Sequence, residues 1–239
     1  MQKKYNVYMG NPLYISHREY IKNKFNKEGL EQFSDKEILE LLLTFSIPQK
    51  DIKDVALGLI KHFGSLPKIF DANDFEFKDK GLDQQSILFI KFIRGIITRY
   101  CLDKIKHKRT ISNKEELYDY CITNLRNKKQ EYFEVLFLTD KFKLIATEII
   151  AEGNIDSASI SPRKLLNSIL AYDAKRIICV HNHPSGDPSP SKEDINMTEQ
   201  LEIALQNISV KLIDHLIIGS GKIYSLCNKK YLEKSKILL

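Results

Sequence analysis

The chain has 239 residues, 43% of them hydrophobic and 10% aromatic, enough for one large domain or two of ordinary size with buried cores. Its 37 basic and 31 acidic residues leave a net charge of +6, which suits an anionic partner such as nucleic acid. The base composition of a genome can also produce such an excess of lysine without any such partner. The four widely spaced cysteines form no C-x-x-C pair, which argues against a disulfide framework and a thiolate zinc site. No segment resembles a signal-peptide core or a membrane span, so we expect a cytoplasmic protein.

The first half of the sequence predicts a small helical bundle. Ser34 and Glu37 form a capping box before a run of apolar residues at helical spacing, which Pro48 ends. Asp51 can cap the next helix, and Gly64 follows that helix as a C-terminal cap. Residues 87–100 predict a further helix that is buried on most sides. A basic tract, 104–109, then follows as a linker, and we place the first domain at residues 1–108.

The second half, residues 109–239, predicts an α/β layer. A capping box at Ser112 and Glu115 opens a helix that runs to about residue 127. Two β-rich runs follow, separated by a turn at 140–141, as in a hairpin. Pro162 is suited to the first position of a helix. Later strands are predicted at 175–181 and 211–219.

One segment carries a chemical pattern, Cys-Val-His-Asn-His-Pro-Ser-Gly-Asp-Pro-Ser-Pro-Ser-Lys-Glu-Asp, which ends at residue 194. His181 ends a predicted strand and His183 follows two residues later, so both imidazoles project to the same side. After a loop rich in Pro, Gly and Ser, Ser191 is a natural N-cap and Asp194 takes the third helical position. Two imidazoles and one carboxylate form a three-ligand zinc set that leaves a fourth position for water.

Hydrolysis would also need a carboxylate that does not bind the metal but takes a proton from the water. Glu131, Glu148 and Glu152 are all candidates, and the sequence alone does not choose among them. A chance His-x-His pair is common, but the loop, the capping serine and the aspartate at the right helical offset together favour a metal site.

These residues resemble a known pattern. His181-x-His183-x7-Ser191-x2-Asp194 resembles the JAMM signature of MPN-type metalloproteases, and HNHPSGDPSPSKED resembles the hallmark of the RadC family. The stretches EYFEVLFLTDKFKLIA, SASISPRKLL and VKLIDHLIIG, and an N-terminal SHREYI followed by FSDKEILELLL, extend the resemblance from about residue 16 to about residue 228.

The resemblance implies an MPN fold, a mixed curved sheet flanked by helices, after an N-terminal helical domain with a helix-hairpin-helix-like end. It implies one zinc ion at His181, His183 and Asp194, Ser191 as a stabiliser of the oxyanion, and Glu131 as the general base. The implied substrate is a peptide or isopeptide bond. In the family's Gly-x-Gly turn the second glycine place holds Asp83 here, and a carboxylate there argues against contact with a DNA phosphate.

Two classes of function follow from these patterns. The first is a zinc metallohydrolase of the JAMM type, and the second is a non-catalytic, DNA-associated repair accessory protein whose zinc is structural or vestigial. DNA could contact the basic linker and the helical domain. A nuclease is disfavoured because a single zinc lacks the second metal of many nucleases. Asp214 and His215 are read as a buried structural pair or, alternatively, as support for the site.

Overall fold

The structure is a computed structural model that describes residues 12–48, 51–78, 80–106, 111, 114–153, 160–220 and 222–232. The chain divides into two compact units, residues 1–94 and 95–239. The helices are α1 (Pro12–Glu28), α2 (Asp35–Ser46), α3 (Ile52–Phe63), α4 (Leu66–Asp71), α5 (Gln84–Lys106), α6 (Lys114–Leu125), α7 (Pro162–Ala171) and α8 (Lys192–Gln206), with a 3₁₀ turn at Asp74–Phe77. None of the helices among these residues is long and apolar enough to cross a membrane.

Local capping determines where the helices of the first unit begin and end. The predicted capping box of α2 is confirmed, because Ser34 accepts from the Glu37 N–H while the Glu37 carboxylate accepts from the Ser34 N–H. Asp51 caps α3 through the Lys53 N–H, and Gly64 ends α3 in the left-handed region at φ +86°. The core of this unit lies between α2, α3, α4 and the first turns of α5, with members such as Leu39, Leu43, Ile52, Leu59 and Ile69 fully buried.

The end of the helical unit differs in part from expectation. Helix α5 forms as predicted, but it is not buried on most sides, since Leu88 and Phe92 are largely exposed. Asp83 accepts a hydrogen bond from the Ser86 N–H, 2.8 Å away, and so caps the start of α5. This capping role accounts for an aspartate at that place. The helix-hairpin-helix interpretation stays a prediction.

Some predictions fall on the part of the chain that the structure does not describe. Ser112 of the predicted second capping box lies outside the described residues, as do 107–109 of the basic linker and Gly221 of the predicted turn. DNA contact through this linker stays a prediction. The domain boundary at 108/109 also stays a prediction, because it concerns independent folding, whereas the two compact units divide within α5.

In the second unit, the described residues form a six-stranded sheet with the order β2-β1-β3-β4-β5-β6. The first two strands form the predicted antiparallel hairpin, β3 lies antiparallel to β1, and β4 lies parallel to β3. The predicted mixed sheet flanked by helices is therefore confirmed. The strands are β1 (Tyr132–Leu138), β2 (Leu144–Glu152), β3 (Arg176–Asn182), β4 (Lys211–Ile218), β5 (Ile223–Ser225) and β6 (Lys230–Leu232).

Each face of the sheet buries a separate apolar cluster. On one face α6 packs over alternate residues of the central strands, with Leu136, Val180 and Leu216 among them. On the other face, α7 and α8 pack over the intervening residues, such as Phe133 and Cys179. Because β3 is covered on both sides, its sequence reads as a continuous apolar run. The carboxyl ends of β3 and β4 meet at one edge of the sheet, next to the start of α8.

Candidate metal centre

The two histidines lie where β3 ends. His181 is in the strand, 1% exposed, on the face covered by α8. His183 lies one residue beyond the strand, where its N–H donates to the Ile218 carbonyl at 2.9 Å. The loop then turns through Gly186 at φ +87°, and the carbonyl of Gly186 accepts from the Ser220 N–H at 2.8 Å. These two backbone hydrogen bonds hold the loop against the end of β4.

The carboxylate of Asp194 comes from the first turn of α8. Ser191 is the N-cap, and its hydroxyl accepts from the Asp194 N–H at 3.0 Å. In return, Asp194 Oδ2 accepts from the Ser191 N–H at 2.8 Å and from the Ser191 hydroxyl at 2.7 Å. This capping box holds the carboxylate in one orientation, with 5% of the residue exposed. The predicted helical offset is therefore confirmed.

The three side chains converge on one point. Nε2 of His181 lies 3.0 Å from Nε2 of His183 and 3.1 Å from Oδ1 of Asp194, and Nε2 of His183 lies 3.4 Å from Oδ2 of Asp194. A tetrahedral zinc with bonds of about 2.0–2.1 Å separates its ligand atoms by about 3.3–3.4 Å. Within the described residues these three form the group of His, Cys, Asp and Glu side chains that could hold a metal ion.

Electrostatics favours a positive charge between the three groups. Burial opposes ionisation of Asp194, but His181 and His183, when their imidazoles are protonated, donate hydrogen bonds that outweigh burial and hold the pKa of Asp194 well below its usual range. The hydrogen bond with Asp194 raises the pKa of His183, and the charge of Glu131 adds to the rise. Burial, followed by the nearby His181, lowers the pKa of His215 well below its usual value. The carboxylate is thus ionised, and either protons or a cation can occupy the centre.

The three candidate bases lie at different distances from this centre. Phe133 pairs with His181 across β1 and β3, so continuing the antiparallel register by two residues places Glu131 opposite His183 and on the same face. Glu148 and Glu152 belong to β2, on the far side of β1. Each therefore lies at least one strand spacing, roughly 4.8 Å, further from the histidines than Glu131, and Glu148, which pairs with Val135, is also displaced along the strand. The geometry favours Glu131, whose catalytic role stays a prediction.

Sequence analysis missed the function of Asn182, which lies between the two histidines and projects to the opposite face. Its side-chain oxygen accepts from the Tyr132 N–H at 2.9 Å, and its amide donates to the carbonyls of Lys128 and Gln130 at 3.2 and 3.0 Å. These main-chain groups flank Glu131 on both sides. The alternation of a strand could have shown which face Asn182 occupies, but not what it contacts there.

Asp214 and His215 turn out to have different partners. The Asp214 carboxylate accepts from the Ser225 hydroxyl at 2.8 and 2.7 Å and from the Asn228 amide at 3.0 Å, which stabilises the turn between β5 and β6. His215 points to the other face, where its Nε2 lies 2.8 Å from Nδ1 of His181. Asp214 therefore agrees with the structural interpretation of the pair, whereas His215 contacts a predicted ligand, and its support for a metal site stays a prediction.

Comparisons with known proteins agree with this architecture. The model of the family described as the RadC-like JAB domain matches residues 111–231. A UPF0758 protein of Fusobacterium nucleatum is 36% identical over 217 residues, which cover 87% of this chain and 94% of that protein. A UPF0758 protein of Ruegeria pomeroyi is 35% identical over 223 residues, covering 92% and 100%. Another, of Rhodobacter capsulatus, is 35% identical over 203 residues, covering 84% and 95%.

Proposed function

This chain belongs to the RadC-like JAB domain family, and we propose that it is a zinc-dependent hydrolase of peptide or isopeptide bonds. One zinc ion would be held by His181, His183 and Asp194. The family resemblance supports this reading, since JAMM-type domains include metalloproteases with the same donor set.

The observation that carries the proposal is the spacing of 3.0–3.4 Å between ligand atoms of three side chains from two separate elements. Nδ1 of His183 donates to the Asp187 carbonyl at 2.8 Å, which leaves the lone pair of its Nε2 for a metal. Structural zinc sites are normally closed by four protein ligands, whereas catalytic sites have three and an open position. His183 is partly exposed, so a substrate can approach the centre from its side.

The chemistry would divide between the ion and two side chains. When bound, zinc supplies a Lewis acid that lowers the pKa of a coordinated water and polarises the substrate carbonyl. Glu131 would take the proton from the attacking water and deliver it to the leaving nitrogen. Ser191 would donate to the developing oxyanion. Because its hydroxyl donates to Asp194 at 2.7 Å, this role requires the hydroxyl to rotate away from the carboxylate.

The metal site is tested by elemental analysis of the purified protein. We expect about one zinc per chain in the wild type and almost none in His183→Ala and Asp194→Ala, since each variant removes one of only three ligands. His62→Ala is the matched control, because His62 is exposed on α3 in the helical unit and should leave the zinc content unchanged. A wild type that binds no zinc even when zinc is supplied would contradict the proposal.

The hydrolytic role is tested with Glu131→Gln in a screen of peptide and isopeptide substrates. We expect zinc to stay bound while hydrolysis falls by about 10²–10⁴-fold, the usual contribution of a general base. Glu148→Gln removes a carboxylate on the neighbouring strand and should retain activity. If Glu131→Gln kept full activity and Glu148→Gln lost it, the base would be Glu148.

A further inference from the structure

A buried hydrogen-bond chain leads away from the metal centre on the side opposite to the ligand atoms. Nδ1 of His181 lies 2.8 Å from Nε2 of His215, which is fully buried on β4. Nδ1 of His215 lies 2.6 Å from the hydroxyl of Thr198 on α8, and that residue is 7% exposed. The Thr198 hydroxyl also lies 2.6 Å from the main-chain carbonyl of Asp194.

The donor and the acceptor of every hydrogen bond in this series follow from its last bond, the one between Thr198 and the Asp194 carbonyl. A carbonyl oxygen can only accept, so the single hydroxyl proton of Thr198 is donated to Asp194. The Thr198 oxygen must then accept from Nδ1–H of His215. With its proton on Nδ1, His215 can only accept at Nε2, so Nδ1–H of His181 is the donor there. His181 is left with a lone pair on Nε2, the atom that faces His183 and Asp194.

We propose that Thr198 and His215 are positioning residues that fix the tautomer and the ring orientation of His181, so that its Nε2 binds the metal. The series of hydrogen bonds links the ring of one proposed ligand, His181, to the backbone carbonyl of another, Asp194. The inference rests on the proposed function only in naming the metal, because the tautomer is a property of the metal-free protein as well. Histidine ligands commonly donate their second N–H to a fixed acceptor, and loss of such an acceptor lowers metal affinity by about 10–100-fold.

The two histidine ligands differ in how this is achieved. His183 donates directly to a main-chain carbonyl, that of Asp187, within its own loop. His181 depends instead on two side chains, His215 on β4 and Thr198 on α8. A substitution can remove these side-chain groups, whereas it cannot remove the backbone carbonyl that His183 uses. A side-chain substitution remote from the metal should therefore alter the state of His181 and leave that of His183 unchanged.

The test is Thr198→Val, which keeps the shape of the side chain but removes the hydroxyl. Without an acceptor at its Nδ1, His215 can carry its proton on Nε2 and donate to His181, which then protonates on its own Nε2. We expect zinc affinity, measured by competition with a chelator, to fall by about 10–100-fold. Thr198→Ser, which restores the hydroxyl, should recover the affinity.

A matched control comes from α6. Thr123 makes the same kind of bond, from its hydroxyl to the Asp119 carbonyl four residues earlier at 2.8 Å, but no histidine among the described residues contacts its hydroxyl. Thr123→Val should therefore leave zinc affinity within about twofold of the wild type.

A second readout is the tautomer itself, from ¹⁵N chemical shifts of the ring nitrogens in the metal-free protein at alkaline pH. We expect His181 of the wild type as the Nδ1–H form, shifting toward Nε2–H in Thr198→Val while His183 is unchanged. A wild-type His181 protonated on Nε2, or a Thr198→Val protein with unaltered tautomer and zinc affinity, would overturn the inference. If the wild type bound no zinc but showed the expected tautomers, the proposed function would fail and the positioning role would stand.

Discussion

Two buried polar networks lie on opposite faces of the same sheet, and they differ in how their hydrogen bonds end. On the α6 face, the carboxylate of Glu134 on β1 is 2% exposed and accepts from the Tyr120 hydroxyl and, at 3.0 Å, from the Asn124 amide. On the α8 face, the chain through His215 ends at His181, whose Nε2 faces Asp194. Both networks are deeply buried, so burial does not distinguish them.

The direction of the donors separates the two. At Glu134 the donors come from the protein itself and match the acceptor oxygens, so the network is closed and stabilises the contact between α6 and β1. At the candidate metal centre the acceptors of three side chains face one another, and the two ring donors point outward, from His183 to the Asp187 carbonyl and from His181 to His215. A buried cluster in which only acceptors face inward requires a cation or protons, and this criterion identifies a site better than burial does.

The largest expected effect in this comparison is the loss of stability caused by Glu134→Ala. The substitution leaves the Tyr120 hydroxyl and the Asn124 amide without their acceptor in a buried place, and it opens a cavity. We expect the free energy of unfolding in urea to fall by about 2–4 kcal/mol, with zinc content unchanged. A loss of zinc together with stability would mean that the two networks are coupled through β1, and the comparison would break down.

The next effect concerns the loop that carries His183. A Cβ on Gly219 would clash with the Gly186 carbonyl oxygen and lie 2.6 Å from Cδ of Pro188, so Gly219→Ala must displace the loop. We expect zinc affinity to fall by about tenfold or more, roughly 1.4 kcal/mol. Gly58→Ala is the control, since among the described residues a Cβ there on α3 has no neighbour within 4 Å apart from its own helix backbone and adjoining residues, and it should leave zinc binding unchanged. Equal affinity in the two variants would show that the loop position does not govern the site.

A smaller effect is expected for Asn182→Ala, which removes a side chain on the α6 face that nevertheless holds the segment around Glu131. Zinc should stay bound, because the proposed ligands project to the other face. Amide hydrogen exchange at Tyr132 should accelerate by about fivefold, because one hydrogen bond of about 1 kcal/mol is lost. Exchange at Val135, in the middle of β1, is the internal reference. Unchanged exchange at Tyr132 would contradict the role of Asn182.

The part of the site that the sequence predicts is the part fixed by local geometry. Strand alternation places His181 and His183 on one side, and the capping box places Asp194 in the first turn of α8, so both depend on contacts within a few residues. The contact between His181 and His215 spans 34 residues and depends on the register of β3 and β4, which includes a shift between Ile177 and Ile178. Hydrophobic patterning does not define such a register when both faces of the strands are buried.

In the helical unit and in the choice of the general base, too, the sequence predicts local contacts but not those that depend on the tertiary structure. Capping residues fixed the ends of α2 and α3 because each cap contacts its own helix. The exposure of Leu88 and Phe92 could not be read from an apolar run, which looks alike in a buried and in a half-buried helix. The preference for Glu131 over Glu148 and Glu152 required the strand order, in which β1 separates β2 from β3.

The smallest expected effect is a pH dependence that only the closed network should show. Burial raises the pKa of Glu134, although the Tyr120 hydroxyl and the Asn124 amide oppose the rise. Above the ordinary carboxyl value and up to the raised one, the folded protein therefore holds a proton that the unfolded chain has released. The contribution of Glu134 to the free energy of unfolding must decrease as pH rises through that window, by at most about 1.4 kcal/mol per pH unit for one proton.

Glu134→Gln isolates this contribution, since the amide does not titrate and any cost of fitting it beside Asn124 is the same at every pH. Urea unfolding of both proteins across mildly acidic to neutral pH should give a difference curve in which the wild type loses stability relative to the variant as pH rises. Titration of Asp194 and His183 affects both proteins equally and cancels in the difference. If the two curves ran parallel, Glu134 would ionise in the folded state as readily as in the unfolded chain. The network around Glu134 would then hold a charge, as the group around Asp194 does.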